Sequence, residues 1–148
     1  MKVSTFKAKC STITCKLEFD APLLSDFNYG DFLYGSIDGK TIKYYCALDC
    51  KTWKVVDIII GEIYSANSSS NRGTVIQKII GLIADRDDRN IYYTQDIYCP
   101  QCQSKIKSID SNNRTGFQDY LTLTFMDFES MDQPDRKNLI HELLNKID

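Results

Sequence analysis

The chain opens on a period of two. Phe6, Ala8 and Cys10 fall on one parity while Lys7 and Lys9 take the other, and Cys15, Leu17 and Phe19 repeat the pattern after residues 11–14. Such alternation marks a strand with one buried face, so the first twenty residues predict a hairpin whose tip carries two thiols. Pro22, Ser25, Asp26, Asn28 and Gly30 form a turn-prone mixture that ends it in a loop. Asp38-Gly39 then separates two strand-like runs, 33–37 and 40–46. This dipeptide suits the two positive-φ positions of a type I′ hairpin turn. Residues 53–60, rich in valine and isoleucine, predict a third strand and with it a three-strand meander.

Residues 65–73, small and polar, predict a flexible surface loop. After Thr74, a candidate N-cap, the pattern changes to helical spacing: Val75, Ile76, Ile79, Ile80 and Ile83 predict a central helix that stops in the charged run 85–90. Residues 91–98 and 105–109 read as paired strands, 110–116 as a turn. A further strand over 120–125 would put Leu121, Leu123 and Phe125 on one side. Ser130 or Asp132 can cap a C-terminal helix with Pro134 in its first turn, where a missing N–H matters little. Its stripe, Leu139, Ile140, Leu143, Leu144 and Ile147, should pack on the sheet. The whole reads as an α+β fold in a single domain, residues 1–148: a mainly antiparallel sheet of hairpin, meander and C-terminal strands, with a central and a C-terminal helix. No period of 20 to 50 residues recurs, which excludes a repeat array.

Composition narrows the function. With 148 residues and 43% hydrophobic side chains the chain can bury a core. A formal net charge of -2 argues against a general polyanion binder, whose affinity comes from clustered lysine and arginine. Residues 1–9 lack the apolar run of a signal peptide, and no stretch approaches the roughly 18 apolar residues of a membrane span. The expected location is cytoplasmic, where cysteines are thiols or metal ligands rather than disulfides.

The six cysteines form three close pairs: Cys10 and Cys15, Cys46 and Cys50, Cys99 and Cys102. Each falls beside a predicted turn. In Cys99-Pro100-Gln101-Cys102 a proline stiffens the turn, and two residues between the thiols let both sulfurs aim at one point, half of a tetrahedral zinc shell. Cys10 and Cys15, flanked by Lys9 and Lys16, are the preferred second half; Cys46 and Cys50 are the alternative. Together the two knuckles resemble the halves of a zinc ribbon parted by a large insertion, and that resemblance implies a structural Zn2+. A redox pair of the thioredoxin type should open a helix after Cys102, whereas residues 103–109 read as a strand.

Elsewhere the chemistry is sparse. His141 is the one histidine, so no multi-histidine centre can form. Asp85, Arg86, Asp87, Asp88 and Arg89, followed by Tyr92 and Tyr93, combine mixed charge with tyrosine, a composition that protein interfaces favour. The leading expectation is a non-enzymatic protein-binding domain with a structural zinc, an inhibitor or an immunity or antitoxin-type protein that masks a basic toxin or enzyme by charge complementarity. The alternative is a nucleic-acid-binding zinc ribbon using Lys7, Lys9, Lys16, Lys105, Lys107 and Arg114. A cysteine-dependent enzyme ranks last.

Overall fold

A computed structural model describes residues 1–25, 29–48, 50–64 and 71–147. Two small antiparallel sheets and four helices make it an α+β protein among these residues. The chain gathers into two compact units: a sheet unit, Met1–Leu48 with Tyr93–Leu123, and a helical unit, Asp49–Tyr92 with Thr124–Asp148.

In the sheet unit, β1 (Lys2–Lys9) pairs with β2 (Glu18–Pro22) as the predicted hairpin, Ala8 opposite Phe19 and Lys9 opposite Glu18. Its burial does not keep one parity. Val3 and Thr5 are buried at one end and Ala8 and Cys10 at the other, because the register slips on either side of Phe6. The slip is shared with β6 (Ile109–Asp119), which runs antiparallel to β1 on its other side. Phe6 faces Arg114 while Lys7 faces Asp110, so residues 111–113 are bulged out of register. The turn expected at 110–116 is thus an irregular edge strand. Its Asn, Asp and Gly content appears as the bulge and as Gly116 at φ 152°.

The second sheet has the order β4-β3-β5, with β3 (Asp31–Ser36), β4 (Ile42–Cys46) and β5 (Tyr93–Thr94). The β3–β4 hairpin is where the alternation placed it, but its turn is not type I′. Only Gly39 has a positive φ, 75°, and its N–H donates to Ser36 O at 2.9 Å. The Asp38 carboxylate accepts from Ser36 Oγ at 2.6 Å and from Lys40 N–H at 3.1 Å, which holds the longer turn. The strand expected over 120–125 reduces to a bridge: Tyr44 donates to Leu121 O and accepts from Leu123 N–H, each at 2.9 Å. Leu121 is 77% exposed, while Leu123 and Phe125 are buried.

The helical unit contains α1 (Lys51–Ile63), α2 (Arg72–Ile83), α3 (Met126–Ser130) and α4 (Gln133–Lys146). The third meander strand is absent, since residues 53–60 lie inside α1. Thr52, Val56, Ile59 and Ile60 are buried at helical spacing and face α2 and α4. Burial of that stripe outweighs the β preference of branched side chains. The central helix starts at Arg72, before Thr74, and residues 65–70 of the expected loop lie outside the described residues. Asp132 caps α4, accepting from Asp135 N–H at 3.0 Å, with Pro134 in the first turn as predicted. Ile140 and Leu144 are buried against α1 and α2 rather than on a sheet.

Candidate metal centre

The hairpin tip of β1–β2 and the turn at residues 99–102 bring Cys10, Cys15, Cys99 and Cys102 together, their sulfurs all within 4.8 Å of one another. Cys10 Sγ is 3.4 Å from Cys102 Sγ, and Cys15 Sγ is 3.6 Å from Cys99 Sγ. A metal–sulfur bond of about 2.3 Å sets the edges of a thiolate tetrahedron near 3.8 Å, so the four donors fit a four-coordinate ion. One cysteine of each pair, Cys10 and Cys99, is buried; its partner, Cys15 or Cys102, is half-exposed at the rim. All four are free thiols.

The two knuckles repeat one backbone plan. In each, the residue after the second cysteine is left-handed: Lys16 at φ 52° and Gln103 at φ 60°. This reverses the chain, so the residue beyond it, Leu17 or Ser104, turns its N–H toward the second cysteine's sulfur. The carbonyls of the same two residues accept from the first cysteine of each pair: Cys10 N–H to Leu17 O and Cys99 N–H to Ser104 O, both at 2.8 Å. Neither knuckle has glycine at the left-handed position, a strain of order 1 kcal/mol or more that the surrounding contacts hold in place. Gly39, at the β3–β4 turn, sits over the second knuckle. A Cβ there would lie 2.5 Å from Cys99 O and 2.9 Å from Pro100 Cα.

Hydroxyls complete the surroundings. Thr12 Oγ1 donates to Ser104 Oγ at 2.9 Å, and Ser104 Oγ is 3.3 Å from Cys102 Sγ. The metal-free cluster is electrostatically uneven. The hydroxyl and N–H of Ser104, followed by the thiols of Cys10 and Cys15, pull Cys102 down to about 6 against the opposing effect of burial. For Cys15 the Leu17 N–H pulls downward, but burial and the contacts with Cys99, Cys102 and Cys10 outweigh it and push the thiol up to about 12. The two rim thiols are thus shifted in opposite directions, and a bound divalent cation would favour the thiolate of each.

The alternative pair does not join the site. Cys46 ends β4 and Cys50 occupies the N-cap of α1 without a side-chain cap bond. Thr12, Ser104 and Gly39 escaped the sequence reading. The signal for Ser104 is its place two residues beyond Cys102, where the knuckle's N–H donor falls.

The charged run at 85–89 is largely occupied within the chain. Asp85 caps α3 from outside that helix, accepting from Thr124 Oγ1 at 2.7 Å, Met126 N–H at 2.8 Å and Asp127 N–H at 3.0 Å. Arg89 closes on Asp87 through its backbone N–H and its guanidinium. Arg86 stacks over Tyr92, 5.9 Å to the ring centre, and with Asp88 remains exposed. Tyr93 is 1% exposed in β5, so its side chain cannot form part of a surface there. Of the basic residues near the knuckles, Lys7 pairs with Glu18 at 3.1 Å and Lys105 with Asp96 at 2.9 Å. His141 lies on the exposed side of α4. Among the described residues no helix is long and apolar enough to cross a membrane.

No protein-family model, curated protein or solved structure matches the chain. Its function must be read from the site's own chemistry.

Proposed function

We propose that Cys10, Cys15, Cys99 and Cys102 hold a structural Zn2+, and that the chain is a non-enzymatic protein-binding module whose sheet unit is set by that ion. The closed set of four sulfurs carries the reading. With every tetrahedral vertex supplied by the chain, no position is left for a water or a substrate, which is the arrangement of a structural ion rather than a catalytic one. Four soft donors in a tetrahedron select zinc or iron among the common metals, and zinc needs no redox partner. Protein recognition draws support from exposed apolar side chains on the sheet unit, Phe117 at 60% and Leu121 at 77%, and from the pairing of Lys7 and Lys105 with carboxylates, which weakens a field for polyanions.

Elemental analysis of chain purified without chelator tests the metal. The expected result is one zinc per chain, lost in Cys99→Ser and in Cys15→Ser but retained in Cys50→Ser. A native chain with no metal and six titratable thiols would end the structural-zinc reading. Immobilised metal-loaded chain, exposed to proteins of its host, tests recognition: a stoichiometric protein partner is expected, and none at physiological salt removes that part.

A further inference from the structure

β4 is an outer strand of its sheet. On its open side Tyr44 is engaged by Leu121 and Leu123, and strand alternation sends the N–H and C=O of Ile42 the same way, since residues two apart share a side. At Ile42 the pairing stops. Tyr120 is drawn off to Met1, its N–H donating to Met1 O at 2.8 Å, while Gln118 and Asp119 face Val3 and Lys2 on β1. Among the described residues nothing pairs with Ile42 on this side.

The divergence leaves a cleft of 390 Å³ within the sheet unit. One end is made by Phe19 and Asp20, opposite Ala8 and Lys7, and the other by Gln118 and Asp119, opposite Val3 and Lys2. Along β1 the two ends are five steps apart, about 16 Å at the rise of a strand, and they lie on opposite sides of it, on β2 and on β6. That length suits an extended chain of about five residues better than a compact small molecule. The walls offer Tyr120, Pro100 and the exposed Leu121 for apolar contact. A carboxylate stands at each end. Asp20 also acts on the Tyr120 phenol, which burial first and then this carboxylate hold above its usual range. Lys7, the cross-strand neighbour of Asp20, is paired with Glu18 instead. Of the lysines on the β4 side, Lys43 lies over the Tyr93 ring, 5.2 Å from its centre, and Lys40 is exposed on the turn.

Resting on the protein-binding reading above, we propose that this cleft receives an extended segment of a partner protein, added as a strand to β4 at Ile42, with basic side chains about four residues apart meeting Asp20 and Asp119. The backbone edge supplies affinity that is indifferent to sequence, and the two carboxylates supply the choice of partner.

Panning phage-displayed random heptapeptides against the metal-loaded full chain tests the proposal. Enrichment of β-prone sequences with lysine or arginine four positions apart is expected. A synthetic peptide of the consensus should shift the Ile42 amide resonance and slow its exchange with solvent. Its binding should weaken about tenfold in the Asp20→Asn/Asp119→Asn double variant and be lost in Ile42→Pro, which removes an N–H outside the β3–β4 ladder. Should Ile42→Pro fail to fold, the double variant and the amide shift decide. No enrichment over uncoated support, or peptides that bind both variants as well as the native chain, would overturn the proposal. If a host protein is still captured in that case, recognition belongs to another surface and the broader reading stands.

Discussion

The two units of this chain keep their order by different means. Buried in the helical unit are Val56, Ile59, Ile60, Ile76, Ile79, Ile80, Ile83, Phe128, Ile140 and Leu144, an aliphatic core in which each fully buried isoleucine contributes about 2 kcal/mol. The sheet unit buries Tyr34, Tyr45, Tyr93 and Tyr120 with alanines and the cysteines Cys10 and Cys99. Its strands run from 2 residues in β5 to 11 in β6. Charge divides as well. The sheet unit carries nine basic and eight acidic residues and the helical unit nine and twelve, so the acidity of the whole belongs to the helices. An aliphatic core needs no ion. The sheet unit, by contrast, brings four thiols close enough to hold one.

Removal of the metal should break this comparison open most widely. Chelation, or Cys99→Ser, should withdraw an apparent binding energy of about 10 kcal/mol from the sheet unit. Hydrogen exchange should then show the amides of β1 and β3 losing protection while those of α2 and α4 keep theirs. Equal loss in both units would mean that the ion stabilises the whole chain as one body. Ile80→Ala reverses the test. It should cost about 2–5 kcal/mol, lowering the thermal transition followed by helical circular dichroism, with zinc content unchanged.

Gly39→Ala strikes where the β3–β4 turn meets the knuckle. With a left-handed φ and a Cβ directed at Cys99 O, it should cost about 1–3 kcal/mol and weaken zinc retention against a competing chelator. A Gly73→Ala control, with open space around its Cβ, should leave retention unaltered. The smallest effect is a proton count. Metal binding requires all four thiolates, and Cys102 is already ionised well above its value of about 6. Zinc loading should therefore release more protons as the pH falls from about 7.5 toward 6 and Cys102 regains its own. By the same sign, the lowered value of Cys102 makes the metal-free fold gain stability as pH rises from about 6 toward the ordinary thiol range, and that gain is lost on acidification. A release that does not change between pH 7.5 and 6 would show that the charge on Cys102 is absent.

Features set by near neighbours were readable from the chain alone. The Asp132 cap with Pro134, the stripe of α4, the first hairpin and the proline-stiffened Cys99–Cys102 knuckle all depend on residues a few positions apart. What failed depended on distant partners. Residues 53–60 have strand composition, and only the α2 and α4 surfaces that cover Thr52, Val56, Ile59 and Ile60 make them a helix. Residues 110–116 have turn composition, yet β1, about a hundred positions earlier, pairs with them. The second cysteine pair stayed ambiguous for the same reason: spacing distinguishes Cys10/Cys15 from Cys46/Cys50 weakly, and the hairpin that carries the first pair to Cys99 decides. Asp85 looked like a surface charge because the helix it caps begins 41 positions later.

The chain passes between its two units at residues 48/49, 92/93 and 123/124, so each is assembled from two separated stretches. This sets an order of events during synthesis. When residue 92 leaves the ribosome, Cys10 and Cys15 are already out but have no partners, and α1 and α2 lack the α3 and α4 surfaces that complete their packing. Four sulfurs can come together around an ion only after residue 102 emerges, and the isoleucine core closes later still, when Ile140 and Leu144 appear. A nascent chain halted anywhere before residue 93 has neither unit finished, and a chaperone or a supply of zinc acting in that interval would meet two half-built structures rather than one folded domain and one waiting.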